Sequence, residues 1–349
     1  MKRLEQVVFL TLRVPWFGSH SGELAMLPHL SRLTKLKIIV AKTTLPRRCL
    51  GKLHSAYHGW PPRNQGVSFA ELQARLLHRL SSASVLHLLA SEDHACFLKL
   101  WKAAPPEIIS TIHIPVCLWS KEYREAVSRM SSAITYSTAD IEEMGSLMAR
   151  RNVKFIHDGV DADFFVPGPS RDQTPPRIMY GGVHLRNEAM LARVVRRITE
   201  RWPEVRFDFL VPPHRRNTAA LAPLLEHPAV TWHAGLNDEQ LRELYQKSKL
   251  LLLPMNPSGA STAVVEALAC GLPLVTTDVG GIRDYGGGAI YPVVANNDDE
   301  AMIGLVEHYL SRPAERDLLG KRCRAFAEEH LAWRVVAQKH LEVYQQLAA

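Results

Sequence analysis

One stretch concentrates residues able to do chemistry. It runs Pro257-Ser258-Gly259-Ala260-Ser261-Thr262, then Ala263-Val264-Val265-Glu266-Ala267-Leu268-Ala269-Cys270-Gly271, and comes after the apolar run Leu250–Met255. Small side chains from Ser258 to Thr262 let a ligand approach the backbone. A helix opening there presents free N–H groups, which makes an anion site. Gly271 suits the end of that helix and Pro273 the start of the next strand. Glu266 falls four residues after Thr262, on the same helical face. A carboxylate so placed can accept hydrogen bonds from both hydroxyls of a ribose diol, each contributing roughly 1.5–3 kcal/mol when shielded from water. An anion site beside a diol acceptor is what a nucleotide-diphosphate sugar requires. The alternative is an exposed helical glutamate that binds nothing.

The elements that must hold this segment are short β-rich apolar runs. In the first half these are Val7–Leu12, Leu36–Ala41, Val85–Ala90, Ile108–His113, Ala133–Ser137 and Val153–His157. In the second they are Arg177–Gly181, Val205–Val211, Val230–Ala234, Leu250–Met255, Pro273–Thr277 and Ala289–Val294. Most are continuous rather than alternating, as in parallel strands covered on both faces. Helical spacing separates them: Met190, Leu191, Val194, Val195 and Ile198 within Glu188–Trp202, and Leu241, Leu244 and Tyr245 within Asp238–Ser248, capped by Asn237. The segment 167–176 holds four prolines and should link two halves; Asp298 to Ala349 reads as two or three helices broken at Pro313. The expected fold class is α/β, with two doubly wound Rossmann-like domains facing a cleft where strand carboxyl ends bind ligands.

Composition narrows the class further. The 349 residues are 46% apolar and 22% charged, ordinary for a globular enzyme. Five scattered cysteines without a CxxC pair argue against a disulfide framework and for a reducing cytoplasm. No run approaches the ~20 apolar residues of a membrane span, so the expected location is cytoplasmic, soluble or peripheral on the inner face of the membrane. The net charge of +7 resides in residues 1–168, where 21 Lys and Arg face 14 Asp and Glu; the remainder balances. Arg32-Lys35-Lys37 and Arg47-Arg48-Lys52 lack the interleaved aromatics of nucleic-acid binders, so no nucleic-acid partner is expected. They suit an anionic or membrane-associated acceptor better. Glu71–Leu80 reads as a core-facing amphipathic helix, with a bilayer-lying helix as its alternative.

Other motifs point weakly. Asp161-Ala162-Asp163 has the form of a metal-binding pair, but Phe164 and Phe165 behind it speak against metal, and none is expected. HExxH, P-loop and GxGxxG patterns are absent. His54 and His58 read as solvated helical residues. His87, Glu92, Asp93 and His94 lie around the carboxyl end of a strand, in reach of an acceptor.

The segment resembles the donor-binding signature of retaining GT-B glycosyltransferases, the family 4-like glycosyl transferases group 1. Glu266 to Pro273 matches the later half of that signature, from its second glutamate to its proline, and Thr277 to Gly281 matches the next strand and loop. Gly159-Val160-Asp161 with Phe165 and Pro167 is similar to the segment closing the family's N-terminal domain. The resemblance implies that Glu266 holds the nucleotide ribose and that a basic pair at the start of the donor domain holds the diphosphate. His184 and Arg186 are the candidates, Arg186 favoured for its permanent charge and forked donors. His113, after Thr111-Ile112, would face the reacting sugar. Gly18-Ser19-His20-Ser21-Gly22 stands in the place of the family's glycine-rich loop, giving Gly18, His20, Ser21 and Gly22 an acceptor-side role with Glu92. Three positions depart from the pattern. Ser258 stands where the first glutamate is usual, Ser261 where a second glycine is usual, and Val183 where an arginine is usual; these bear on the donor sugar.

The expected protein therefore has an acceptor domain over 1–166, a donor domain over 170–330 and a final helix, 331–349, that crosses back. It moves a hexose-like sugar from a nucleotide-diphosphate sugar to an acceptor hydroxyl, with retention and without cofactor or metal. His113, Arg186 and Glu266 are the candidate catalytic residues, with Ser258, Gly259, Ala260, Ser261 and Thr262 around the donor. Two readings remain open beside it: an epimerase or phosphorylase on the same fold, and a silent module that only binds nucleotide sugars.

Overall fold

The computed structural model describes residues 4–12, 18–42, 44–59, 65–80, 84–169 and 174–349. Among these described residues, twelve strands form two all-parallel sheets of six. The first contains β1 (Gln6–Thr11), β2 (Leu36–Val40), β3 (Ser84–Leu88), β4 (Ile108–Ile112), β5 (Ser132–Thr135) and β6 (Asn152–Phe155), in the order β2-β1-β3-β4-β5-β6. The second contains β7 (Arg177–Gly181), β8 (Arg206–Leu210), β9 (Val230–His233), β10 (Leu250–Leu253), β11 (Leu274–Thr277) and β12 (Val293–Val294), in the order β12-β11-β10-β7-β8-β9. The continuous apolar runs explain this. All four leucines of β10 are fully buried, as are Val7 to Leu10 of β1, because helices cover both faces of a parallel sheet. At the edge, β2 leaves Lys37 and Ile38 exposed.

The helices obey their local signals. Helix Glu188–Arg201 buries Met190, Leu191, Val194, Val195 and Ile198, and Asn187 caps it by accepting from the Met190 amide. Asn237 and Gln240 form a reciprocal capping box at the start of helix Asp238–Lys247. The C-terminal stretch forms helices Asp299–Ser311 and Pro313–Phe326, a π-helical turn Ala327–Leu331, and helix Trp333–Ala348, with Pro313 supplying the break.

The chain divides into two compact units. The first comprises residues 1–15, 26–156 and 336–349, and the second 16–25 and 157–335. The division thus falls ten residues before 166, because Val160, Ala162 and Phe165 belong to the second unit's core. Residues 170–173 of the proline-rich segment lie outside the described residues. Val336–Ala349 packs in the first unit, where the Tyr344 hydroxyl lies 2.7 Å from His87 Nδ1.

Helix Gln65–Leu80 turns Val67, Ala70 and Ala74 into the first unit's interior, although Leu76 stays half exposed; the side chains of Arg79 and Leu80 lie outside the described residues. The expected strand Ala289–Val294 shrinks to two residues. Gly286 and Gly288, at φ +95° and +80°, wind the preceding backbone into turns instead.

Candidate functional site

The strand order of the second sheet reverses between β7 and β10, and in open α/β sheets that switch point is where ligands bind. The loops leaving these two strands are laced together there. The Asn187 amide donates to Pro254 O (3.0 Å), and the Asn256 amide donates to Leu185 O (2.9 Å). Leu185 takes a left-handed conformation at φ +53°, a geometry costing a non-glycine residue about 1–2 kcal/mol, and this turn sets Arg186 opposite Met255. Gly182, at φ +85°, leaves the space the guanidinium uses: a Cβ there would sit 2.7 Å from Arg186 Nη2.

Arg186 donates to neutral groups. Its Nε bonds Gly181 O (3.1 Å), Nη1 bonds His184 O (2.9 Å) and Nη2 bonds the Ser261 hydroxyl (3.0 Å). No carboxylate among the described residues pairs with it, and its withdrawal from water holds its pKa below the usual arginine value. Ser261 occupies the N-cap of helix Thr262–Ala269 without capping it, since its hydroxyl serves Arg186. The Val264 and Val265 amides are satisfied by Ser261 O (2.8 and 3.2 Å), whereas those of Thr262 and Ala263 donate to no group among the described residues. A cation without a counter-charge thus stands at a helix mouth with two open amides, which suits an anion. His184 is exposed beside it. Partial burial, then Arg186 and Arg215, hold its pKa below the usual histidine value.

One turn into the same helix, Glu266 is 4% exposed and so is not the solvated helical residue of the alternative reading. Its Oε1 accepts from the Ser21 hydroxyl (2.7 Å) and its Oε2 from the Tyr245 hydroxyl (2.9 Å). Burial raises its pKa to about 7; the two hydroxyls pull the other way, and Asp238 adds a small push upward. Each carboxylate oxygen retains a further lone pair. Burial and then Glu266 hold the Tyr245 phenol well above its ordinary range.

Ser21 arrives on the loop Gly18–Gly22, which belongs to the second unit. Asp238 Oδ2 accepts from the Ser19 and His20 amides (2.7 and 3.3 Å), and a Cβ on Gly18 would collide with that carboxylate. His20 Nδ1 lies 2.6 Å from Asp161 Oδ2, and its ring stacks on Phe164 at 3.8 Å between centroids. Arg242 lies 4.5 Å over the same Phe164 ring. Sequence reasoning grouped Gly18, His20, Ser21 and Gly22 with the acceptor side; the structure sets the loop against Glu266. Tyr245 and Asp238 were missed. Both lie on the helix Asp238–Lys247, and only tertiary packing turns their polar ends toward this site.

Ser258, in the place of the usual glutamate, is buried, and its carbonyl accepts from the Gly281 amide (2.8 Å). Gly280 lies against the Ser258 backbone at φ +54°, leaving no room for a Cβ. The Thr277 hydroxyl accepts from the Met255 amide (2.9 Å) and donates to its carbonyl (2.8 Å), anchoring the loop that leads through Ser258, Gly259 and Ala260 to the helix. The helix ends at Ala269, with Gly271 left-handed at φ +60°.

In the first unit, Glu92 and His113 come together. The half-buried Glu92 carboxylate accepts from the His113 and Ile114 amides (2.7 and 3.0 Å) and lies 3.5 Å from His113 Nδ1; these contacts outweigh the loss of solvent and hold its pKa below the ordinary value. Other histidines depart from expectation. His87 lies inside β3, fully buried and hydrogen-bonded to Tyr344 and Thr111 (2.7 and 2.8 Å), so it cannot meet an acceptor. His94 is fully buried beside Glu71 (2.9 Å). His54 is buried rather than solvated, because it lies on the inner face of helix Leu45–Tyr57. Among the described residues no group of three or more His, Cys, Asp or Glu could hold a metal ion, and no helix is long and apolar enough to cross a membrane.

A family model described as glycosyl transferases group 1 matches residues 176–312. Over 195 residues the chain is 28% identical to the MMP α-(1→4)-mannosyltransferase of Mycolicibacterium hassiacum; the match covers 55% of this chain and 47% of that protein, so the chain spans about half of that relative's length. Sucrose-phosphate synthase from Thermosynechococcus elongatus superposes with a TM-score of 0.72 at 15% identity, over 98% of this chain and 99% of that one. Anabaena HepE, solved with UDP, superposes with a TM-score of 0.72 at 12% identity, over 98% and 100%. These likenesses carry the architecture, and the family match falls on the half containing Arg186, Ser261 and Glu266. The chain has the GT-B fold, and its residues 176–312 are similar to the glycosyl transferases group 1.

Proposed function

We propose that the chain transfers a hexose-like sugar from a nucleotide-diphosphate sugar to an acceptor hydroxyl, with retention and without a metal ion. The observation that carries this reading is the Arg186 guanidinium, which lacks a carboxylate partner among the described residues and stands at a helix mouth one turn from the buried Glu266. The diphosphate takes the place between Arg186, His184 and the Thr262 and Ala263 amides, and Glu266 takes the ribose diol. As the bond from anomeric carbon to diphosphate oxygen breaks, charge grows on the diphosphate. A preformed cation and amide dipoles stabilise it without reorganising, usually the largest single contribution to catalysis. The acceptor oxygen attacks from the departing side, and a diphosphate oxygen takes its proton, so no protein nucleophile is required. His113, held by Glu92 in the first unit, is the candidate group for the acceptor. The relative named a mannosyltransferase and the neighbour solved with UDP put mannosyl donors and UDP sugars first in the panel to try.

The test is release of nucleoside diphosphate from that panel in the presence of hydroxyl acceptors. Arg186→Gln should lower turnover by about 10²–10³, as loss of one preorganised donor does elsewhere, with unfolding unchanged. Turnover equal to the unaltered protein would refute the assignment.

A further inference from the structure

Helix Leu45–Tyr57 is inside out. Its inner face, against helix Gln65–Leu80, carries Gly51, His54 and Ser55, with the Ser55 hydroxyl 2.7 Å from that of Ser68. Its outer stripe is apolar and open to water: Leu50 is 48% exposed, Leu53 67% and Tyr57 85%, at the i, i+3, i+7 spacing of one helical face. Leu45, at the helix start, is 74% exposed. Beside it a groove of about 440 Å³ runs along the edge strand β2, lined by Lys37, Ile38, Arg47 and Leu76 among others. Soluble surfaces seldom gather so many large apolar side chains unless something covers them.

The charge around this surface selects what covers it. Arg48 and Lys52 flank the stripe, and Lys35, Lys37 and Lys42 are exposed on and beside β2. From residue 24 to residue 70 the sequence holds many Lys and Arg and not one Asp or Glu. A second copy of the chain would bring this cationic face against itself, which like-charge repulsion opposes. An apolar stripe bordered only by cations fits the interface of an anionic bilayer, where leucine and tyrosine enter the acyl boundary and Lys and Arg meet headgroups.

We propose that the edge of the first unit built from β2 and helix Leu45–Tyr57 docks on a membrane surface rich in anionic lipid headgroups. This surface lies on a different unit from Arg186 and Glu266. Binding to vesicles needs no sugar donor, so its failure leaves the proposed transfer untouched, and the converse holds.

The experiment is co-sedimentation of the full chain with vesicles of phosphatidylcholine alone and with about one part in three phosphatidylglycerol. Binding should be at least about tenfold tighter on the anionic vesicles and should weaken as salt is raised. The triple change Leu50→Ser, Leu53→Ser, Tyr57→Ser touches only exposed side chains and should abolish binding while leaving unfolding unchanged. Leu318→Ser, also at an exposed leucine but in the second unit, should bind normally. Arg48→Glu with Lys52→Glu should erase the preference for anionic lipid. Equal binding to neutral vesicles, or full binding by the triple variant, would overturn the proposal. So would a stable dimer in solution that the triple variant splits, which would make a second copy the occupant.

Discussion

Replacing Glu266 with Gln tests the donor reading through pH. The unliganded carboxyl has a pKa of about 7 because burial penalises its charge, and the ionised form is the better acceptor for a ribose diol. Binding that requires ionisation must first remove a proton below pH 7: about one carboxyl in eleven is ionised at pH 6 and about ten in eleven at pH 8. The affinity for a sugar nucleotide should therefore fall about tenfold, or about 1.4 kcal/mol, from pH 8 to pH 6. A sugar nucleotide is preferable to the free diphosphate because its phosphates do not titrate in this range. His184 acts with the opposite sign. Its pKa lies below the usual value, so any protonation on acidification adds a cation and tightens anion binding. Calorimetric titration of Glu266→Gln should show affinity about 10–100-fold weaker at pH 8, from the loss of one charge-assisted interaction, and nearly flat with pH. The unliganded protein supplies a second reading. Because the folded pKa is raised, Glu266 binds a proton in the fold that the unfolded chain has released between pH 4.5 and 7. Its contribution to stability is present below pH 4.5 and declines by about 3 kcal/mol as pH rises through 7. Glu266→Gln should remove that decline. Affinity constant from pH 6 to 8, or the same profile in the variant, would refute the reasoning.

Tyr245→Phe removes a hydroxyl that favours the ionised Glu266, so the midpoint of the binding profile should move up by about 1–2 pH units; an unmoved midpoint would show that the hydroxyl does not govern the carboxyl. Gly280→Ala forces a side chain into a left-handed position already filled by the Ser258 backbone. It should cost about 3 kcal/mol in denaturant unfolding, and a loss under 1 kcal/mol would contradict the crowding.

Much of this was legible from the chain. Continuous apolar runs marked the strands closely, save that Ala289–Val294 shrank to two residues, because parallel strands buried on both faces need unbroken hydrophobicity. The strand–turn–helix that carries Ser261, Thr262 and Glu266 was also legible, since its signal is local. What brings Ser21 and Tyr245 to Glu266 was not, because those contacts span 245 and 21 residues and neither hydroxyl has a local signature. His87 misled for the same reason. Its place near a strand end suggested a ligand, whereas Tyr344, 257 residues away, fills the space beside it. The proline-rich segment marked a boundary ten residues late, since the Val160–Phe165 stretch before it already packs into the second core.

The most direct measurement is a crystal structure of the chain with bound UDP or GDP. The account places the diphosphate on the Arg186 guanidinium and the Thr262 and Ala263 amides, with both ribose hydroxyls on the Glu266 carboxylate. A nucleotide seated elsewhere, with Ser21 and Tyr245 still the sole partners of that carboxylate, would contradict it.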